Sequence, residues 1–201
     1  MADLTLTYFD FHGGRGEDCR LALHIAGAAF VDERVAGPDW PARKAATPWR
    51  GLPTLRVEDG RLLSQSNAVL TYLGRRFDLH PTEPVEAARH EAVMAAVESL
   101  RHTIAATGHD DDAVKRAQRE AFGTSALPSW MRSLEAEIRG PQLGGDTVQV
   151  ADLKVHVLLT FLAGGGLDHV ALDLDAYPKA QGLVEGVRAH PRVVDWYERQ
   201  A

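Results

Sequence analysis

Gly51-Leu52-Pro53-Thr54-Leu55-Arg56-Val57, Glu58-Asp59-Gly60, Arg61-Leu62-Leu63 and Ser64-Gln65-Ser66-Asn67-Ala68 run on from one another and decide the fold. Residues 53–57 alternate as a strand that opens on proline, one of the few places where a sheet tolerates a residue without an N–H. Glu58-Asp59-Gly60 has the composition of a tight turn, so 61–63 reads as the return strand of a hairpin. Ser66 then opens a helix whose predicted inner face is Val69, Tyr72, Leu73 and Phe77.

Working back from the hairpin, Leu4-Thr5-Leu6-Thr7-Tyr8 alternates with period two and reads as a strand. The turn His12-Gly13-Gly14-Arg15-Gly16 leads into a helix with Cys19, Ala22, Leu23 and Ala26 on its apolar face, ended by Gly27. Residues 30–35 read as a second strand, followed by a loop through Gly37-Pro38, Pro41 and Pro48. A crossover helix makes the first two strands parallel. The order strand, helix, strand, hairpin, helix is the thioredoxin-like α/β arrangement, predicted over 1–78. A polar linker with two prolines, 79–84, precedes an all-α region over 85–201. Helices are predicted at 85–107, 111–139, 150–163, 176–189 and 192–199, with Pro128 kinking or dividing the second.

Composition narrows the function. With 45% apolar and 25% charged residues, the chain has the balance of a globular protein rather than a disordered one. A net charge of −6 repels phosphate backbones and no basic stripe offsets it, so nucleic acid is not expected as a partner. The first eight residues lack the pattern of a signal peptide, and segment 150–163 is short and carries Asp152, Lys154 and His156, so no membrane is expected. The single cysteine, Cys19, excludes an intrachain disulfide and suits a reducing, cytoplasmic setting; on an apolar helix face it reads as a buried structural thiol. The nine histidines show no metal-ligand spacing, so no metal is expected. His109-Asp110-Asp111-Asp112 reads as a solvated helix start.

Three features carry chemistry. Tyr8 ends the first strand just before a helix start, with Arg15 in the turn between, where a hydroxyl donor and positive charge could hold a thiolate. Leu52-Pro53 opens a strand where a cis bond would turn backbone groups outward to an extended peptide. Gln65-Ser66 stands at a helix N-terminus, a site for a carboxylate. Taken singly, each also reads as ordinary structure: a packed tyrosine, a trans proline and a helix cap.

Together, at these intervals, they resemble the cytosolic glutathione transferases, and most the sigma class, which includes the haematopoietic prostaglandin D synthases. The likeness lies in Leu6-Thr7-Tyr8-Phe9 with Arg15 and Glu17, Asp39-Trp40-Pro41 with Lys44, Gly51 to Leu55, Ser64 to Gly74, and Pro191-Arg192-Val193-Val194-Asp195-Trp196. It implies the glutathione transferase fold, glutathione as co-substrate and a homodimer. By the same resemblance, Tyr8 donates its hydroxyl to the glutathione sulfur and Arg15 reinforces the field there. Trp40 and Lys44 hold the glycine end, Leu52 before cis-Pro53 pairs with the cysteinyl unit, and Gln65 and Ser66 grip the γ-glutamyl group. In the family an acidic residue of the partner subunit reaches that group's ammonium, and Glu98 is its match here. Phe9, Phe11 and the helix near His102 would line the pocket for a small hydrophobic electrophile. The reaction so implied is conjugation, with isomerisation or peroxide reduction on the same site, or a non-catalytic binding protein, as alternatives. Three departures stand out: a turn one residue longer and richer in glycine, Gly51 where a lysine or glutamine is common, and Gln149 as a poor cap costing about 1 kcal/mol.

Overall fold

The structure, a computed structural model, describes residues 4–200. A four-stranded sheet in the order β2-β1-β3-β4 is built from β1 (Leu4–Phe9), β2 (Phe30–Val35), β3 (Thr54–Arg56) and β4 (Leu62–Ser64). β1 pairs in parallel with β2, from Leu4 opposite Phe30 to Phe9 opposite Val35, and antiparallel with β3. The period-two reading of β1 holds: Leu4, Leu6 and Tyr8 are buried while Thr5 and Thr7 are half-buried. β3 is shorter than predicted and β4 is shifted by one residue, because Val57 and Arg61 pair as the closing residues of the turn around Gly60, which adopts a φ of 83°.

Helix α1 (Gly14–Ile25) links the two parallel strands. It ends at Gly27 as predicted. The Ala28 N–H bonds the Leu23 carbonyl, the Gly27 N–H bonds that of His24, and Gly27 has a φ of 65°. The segment read as loop contains a short helix, α2 (Trp40–Lys44), started by Pro41 in its first turn. Helix α3 (Ser66–Arg76) buries Val69, Leu70, Leu73 and Gly74, whereas Tyr72 and Phe77 are only half-buried. Its inner face is rotated from the predicted one because Gly74 admits His80 and Val150 against the backbone.

Every later element among the described residues is helical: α4 (Pro84–Ala106), α5 (Asp112–Ala121), α6 (Leu127–Glu137), α7 (Val150–Ala163), α8 (Pro178–Ala189) and α9 (Pro191–Glu198). None is long and apolar enough to cross a membrane. Glu83 caps α4 and Asp111 caps α5, each carboxylate accepting two backbone N–H groups. Pro128 sits in the first turn of α6, just after the wide π-helical turn Phe122–Ala126 that divides the predicted long helix. At the start of α7 the predicted weakness of Gln149 is made good from inside the helix. Asp152 accepts the N–H groups of both Gln149 and Leu143. Helix α7 is buried on nearly all sides, Asp152, Lys154 and His156 included, so it forms the axis of the helical region rather than an amphipathic cover.

One contiguous apolar core runs from the sheet into these helices, with α1 packed against α3, α7 and α9. Arg20 of α1 fixes the chain at the end of β1. Fully buried, it donates to the carbonyls of Phe9 and Phe11 and pairs with Asp32 and Glu17. Glu17 in turn accepts the indole N–H of Trp196 at 2.7 Å, tying the last helix to the first. Breaking such a set from one side strands the remaining carboxylate. Arg20→Met is expected to lower unfolding stability by about 3–5 kcal/mol, read as a melting point lower by roughly 10 °C in a scanning calorimeter.

Candidate functional site

The tightest local constraint lies where β1 meets α1. Gly13 and Gly14 have φ of 105° and 63°, a backbone that L side chains rarely adopt. A Cβ on Gly14 would sit 2.9 Å from the Tyr8 hydroxyl, and one on Gly16 would overlap the Tyr8 ring. The phenol therefore lies flat on the first turn of α1, which a side chain at either position would prevent. Arg20 lies over the same ring, 5.7 Å from its centroid, and Phe9 and Phe11 meet it edge-on. Burial pushes the Tyr8 phenol above its ordinary value, against the pull of the Arg15 charge and backbone N–H. At neutral pH this phenol is a protonated donor.

Two cavities adjoin this point. The first, about 430 Å³, is lined by Arg15, Leu52, Gln65, Ser66, Asn67, Glu98 and His102 among others. The second, about 410 Å³, is lined by Tyr8, Phe11, Arg15, Arg101, Val157, Phe161 and their neighbours. Arg15 and Ala105 belong to both, so the cavities meet at the N-terminus of α1. The first ends at the start of α3. Gln65 precedes that helix with a φ of 71°, and no side chain caps it. Ser66 does not act as the cap. Its N–H and those that follow stay available to an anion in the cavity. The Leu52–Pro53 bond is cis, and Leu52 lines the wall.

Behind Ser66 lies a group of ionised side chains drawn from three helices. Glu98 of α4 accepts from Arg15 at 2.7 Å, Lys154 at 2.6 Å and Arg101 at 3.2 Å. Asp18 of α1 takes a paired contact from Arg101 at 2.7 and 3.0 Å and one from Lys154 at 3.3 Å. Burial alone would raise the Glu98 carboxyl, but the charge and hydrogen bond of Lys154, with Arg15, hold it down at about 2. Burial pushes the Cys19 thiol well up, as befits a packed, unreactive group.

The structure thus brings Tyr8, Arg15, Leu52, Gln65, Ser66 and Glu98 to one place, and Pro53 sets the wall behind Leu52. The Arg15 guanidinium pairs with Glu98, and its charge still acts on the Tyr8 phenol. Within the one chain Glu98 accepts from the Ser66 hydroxyl at 3.2 Å. Phe9 and His102 sit elsewhere than expected. Phe9 does not line the second cavity; its ring packs between Tyr8, Phe11 and Trp40. His102 lines the first cavity rather than the second, one helical turn on from Glu98. Trp40 is half-buried and Lys44 exposed, and neither lines the first cavity. Asp18, Arg101 and Lys154 were missed. The one available signal was three charges at positions that helical periodicity assigns to the core.

A family model described as "Glutathione S-transferase, C-terminal domain" matches residues 98–200, just over half of the chain. The hematopoietic prostaglandin D synthase of Gallus gallus is 29% identical over 201 residues, covering all of this chain and 98% of that protein. Glutathione S-transferase 1 of Ascaris suum is 46% identical over 94 residues, 47% of this chain and 45% of that protein. The solved prostaglandin synthase D of Nilaparvata lugens superposes with a TM-score of 0.87 at 26% identity over 98% of both chains.

Proposed function

The chain belongs to the glutathione S-transferase family, and on that premise we propose that it binds glutathione and transfers its sulfur to small hydrophobic electrophiles, with Tyr8 stabilising the thiolate. The observation that carries the reading is the junction of the two cavities, one ending on an uncapped helix start and the other walled by Tyr8. The γ-glutamyl carboxylate takes the N–H groups at the start of α3 and the Ser66 hydroxyl. The cysteinyl unit pairs with the Leu52 backbone, which places the sulfur near the phenol and the N-terminus of α1. Gln65 contacts the γ-glutamyl unit, and Trp40 and Lys44 approach the glycine end from the rim.

A free thiol has a pKa of about 8.5, and lowering it by two units takes about 2.7 kcal/mol of preference for the anion. One hydrogen bond to a charged acceptor supplies about 1.5–3 kcal/mol, and a helix N-terminus adds about 0.5 kcal/mol. The phenol and the first turn of α1 suffice, with Arg15 adding its charge. The thiolate attacks an electrophile held in the second cavity, against Phe11, Val157 and Phe161. Isomerisation by the same thiolate is the second reading, favoured by the full-length likeness to a prostaglandin D synthase. Product analysis with an endoperoxide against an aryl halide separates the two.

Pairing of two copies and a cytoplasmic setting belong to the same proposal. For pairing, the available surface is Trp49, 81% exposed on a backbone of φ 56°, and the groove between α3 and α4 lined by Ala68, Tyr72 and Arg75. The lone buried thiol supports a reducing compartment. Trp49→Glu is expected to convert a dimer to a monomer in sedimentation velocity; an unaltered dimer removes Trp49 from the interface.

Tyr8→Phe is expected to keep glutathione affinity within about threefold while raising the bound thiol's pKa by about 1–2 units. Rate rises with pH as the thiolate forms, so the variant's pH–rate curve shifts to the alkaline side, with turnover near neutral pH lower by about tenfold or more. An unshifted curve contradicts the assignment.

A further inference from the structure

Lys154 lies in the second turn of α7, has no exposed surface, and stands 88 residues from Ser66 in sequence. Its ammonium carries three N–H groups, and three oxygens take them: Ser66 Oγ at 3.0 Å, Asp18 Oδ2 at 3.3 Å and Glu98 Oε1 at 2.6 Å. The Ser66 hydroxyl accepts a hydrogen bond from Lys154 and in the free chain donates its own to Glu98 Oε1 at 3.2 Å. Side and rotamer of that hydroxyl are set from behind by a cation that solvent does not reach.

The charges around it fix the sign of what the cavity floor accepts. Arg15, Arg101 and Lys154 face only Asp18 and Glu98, leaving one positive charge over. Lys154 is fully buried, Arg101 nearly so and Arg15 partly exposed, and a surplus of that sign so placed favours an anion beside it. Glu98 is already met by all three cations, so it has little capacity left for a further positive group.

We infer that Lys154 is a positioning residue for the α-carboxylate of glutathione, acting through the Ser66 hydroxyl; this rests on the glutathione-binding reading above. On binding, the Ser66 proton turns from Glu98 to the incoming carboxylate, while Lys154 continues to hold the oxygen in place. Lys154 never touches the ligand. Its effect falls on the capture of glutathione rather than on the chemistry at sulfur.

The test is steady-state kinetics of the full-length chain with an aryl halide. It uses glutathione and, as a second thiol, 4-aminobutanoyl-Cys-Gly, which is glutathione without its α-carboxylate. For Lys154→Met the expected result is a glutathione KM higher by about tenfold or more, with saturated kcat within about twofold and an unmoved pH–rate midpoint. With the second thiol, the difference in KM between wild type and variant falls below about twofold. Should Lys154→Met fold poorly, Asp18→Asn with Lys154→Met keeps the surplus of one positive charge, and the one carboxylate still facing the gap, Glu98, stays paired with Arg15 and Arg101. Because the effect runs through the hydroxyl, the same rise in KM is expected there. In a Ser66→Ala background, Lys154→Met should add no further rise. An active wild type whose variants keep their KM, or lose affinity equally for both thiols, overturns this inference alone. A wild type without glutathione turnover overturns both readings.

Discussion

A phenol can lie flat on the first turn of a helix only where that turn carries no side chains. Gly14 and Gly16 meet the condition beside Tyr8, and Gly13 and Gly14 also take the left-handed backbone by which the chain enters the helix. The glycine-rich turn that looked like a departure from the family pattern is therefore what lets the tyrosine ring sit where it does. Arg20 holds the approach from below by gripping two carbonyls of the same turn. The donor, the helix N-terminus and the cavity junction all take their places from this contact.

The other end of the cleft is organised by charge. Five ionised side chains from α1, α4 and α7, with Ser66 of α3 above them, join the sheet-bearing part of the chain to the helices that follow it. Removing such groups from water costs several kcal/mol each, and only dense pairing and hydrogen bonding offset that cost. The arrangement adds little to stability that an apolar packing could not, but it places fixed charge beneath a site that needs to recognise a zwitterion. The energy of burial is thereby turned toward orientation.

Much of the fold was legible because strands and helices write their periods locally. Alternation marked β1, the bounds of β2 and α7 were read as they stand, and Gly27 ended α1. Errors came where a tertiary neighbour decided. His80 pressing on Gly74 rotated the inner face of α3, whereas the division expected at Pro128 is present as a wide helical turn just before it. At the site, Tyr8, Pro53, Gln65 and Ser66 stood out because each sits at a boundary between elements, but singly each read equally as ordinary structure, and only their joint resemblance to a family implied the cis bond that the structure has. The partners of Glu98 could not. Lys154 lies 56 residues further along the chain, and Arg15 is 83 residues before it. Lys154 itself read only as a charge interrupting an apolar run, since a buried cation is indistinguishable from an exposed one until its acceptors are placed.

The account stands on the claim that the folded chain keeps a borrowed sulfur ionised near neutral pH. The most direct measurement is an ultraviolet titration of the thiolate in the wild-type complex with glutathione, without any electrophile. The account predicts a midpoint of about 6.5, two units below that of a free thiol. A midpoint that stays at about 8.5 in the bound state would contradict it.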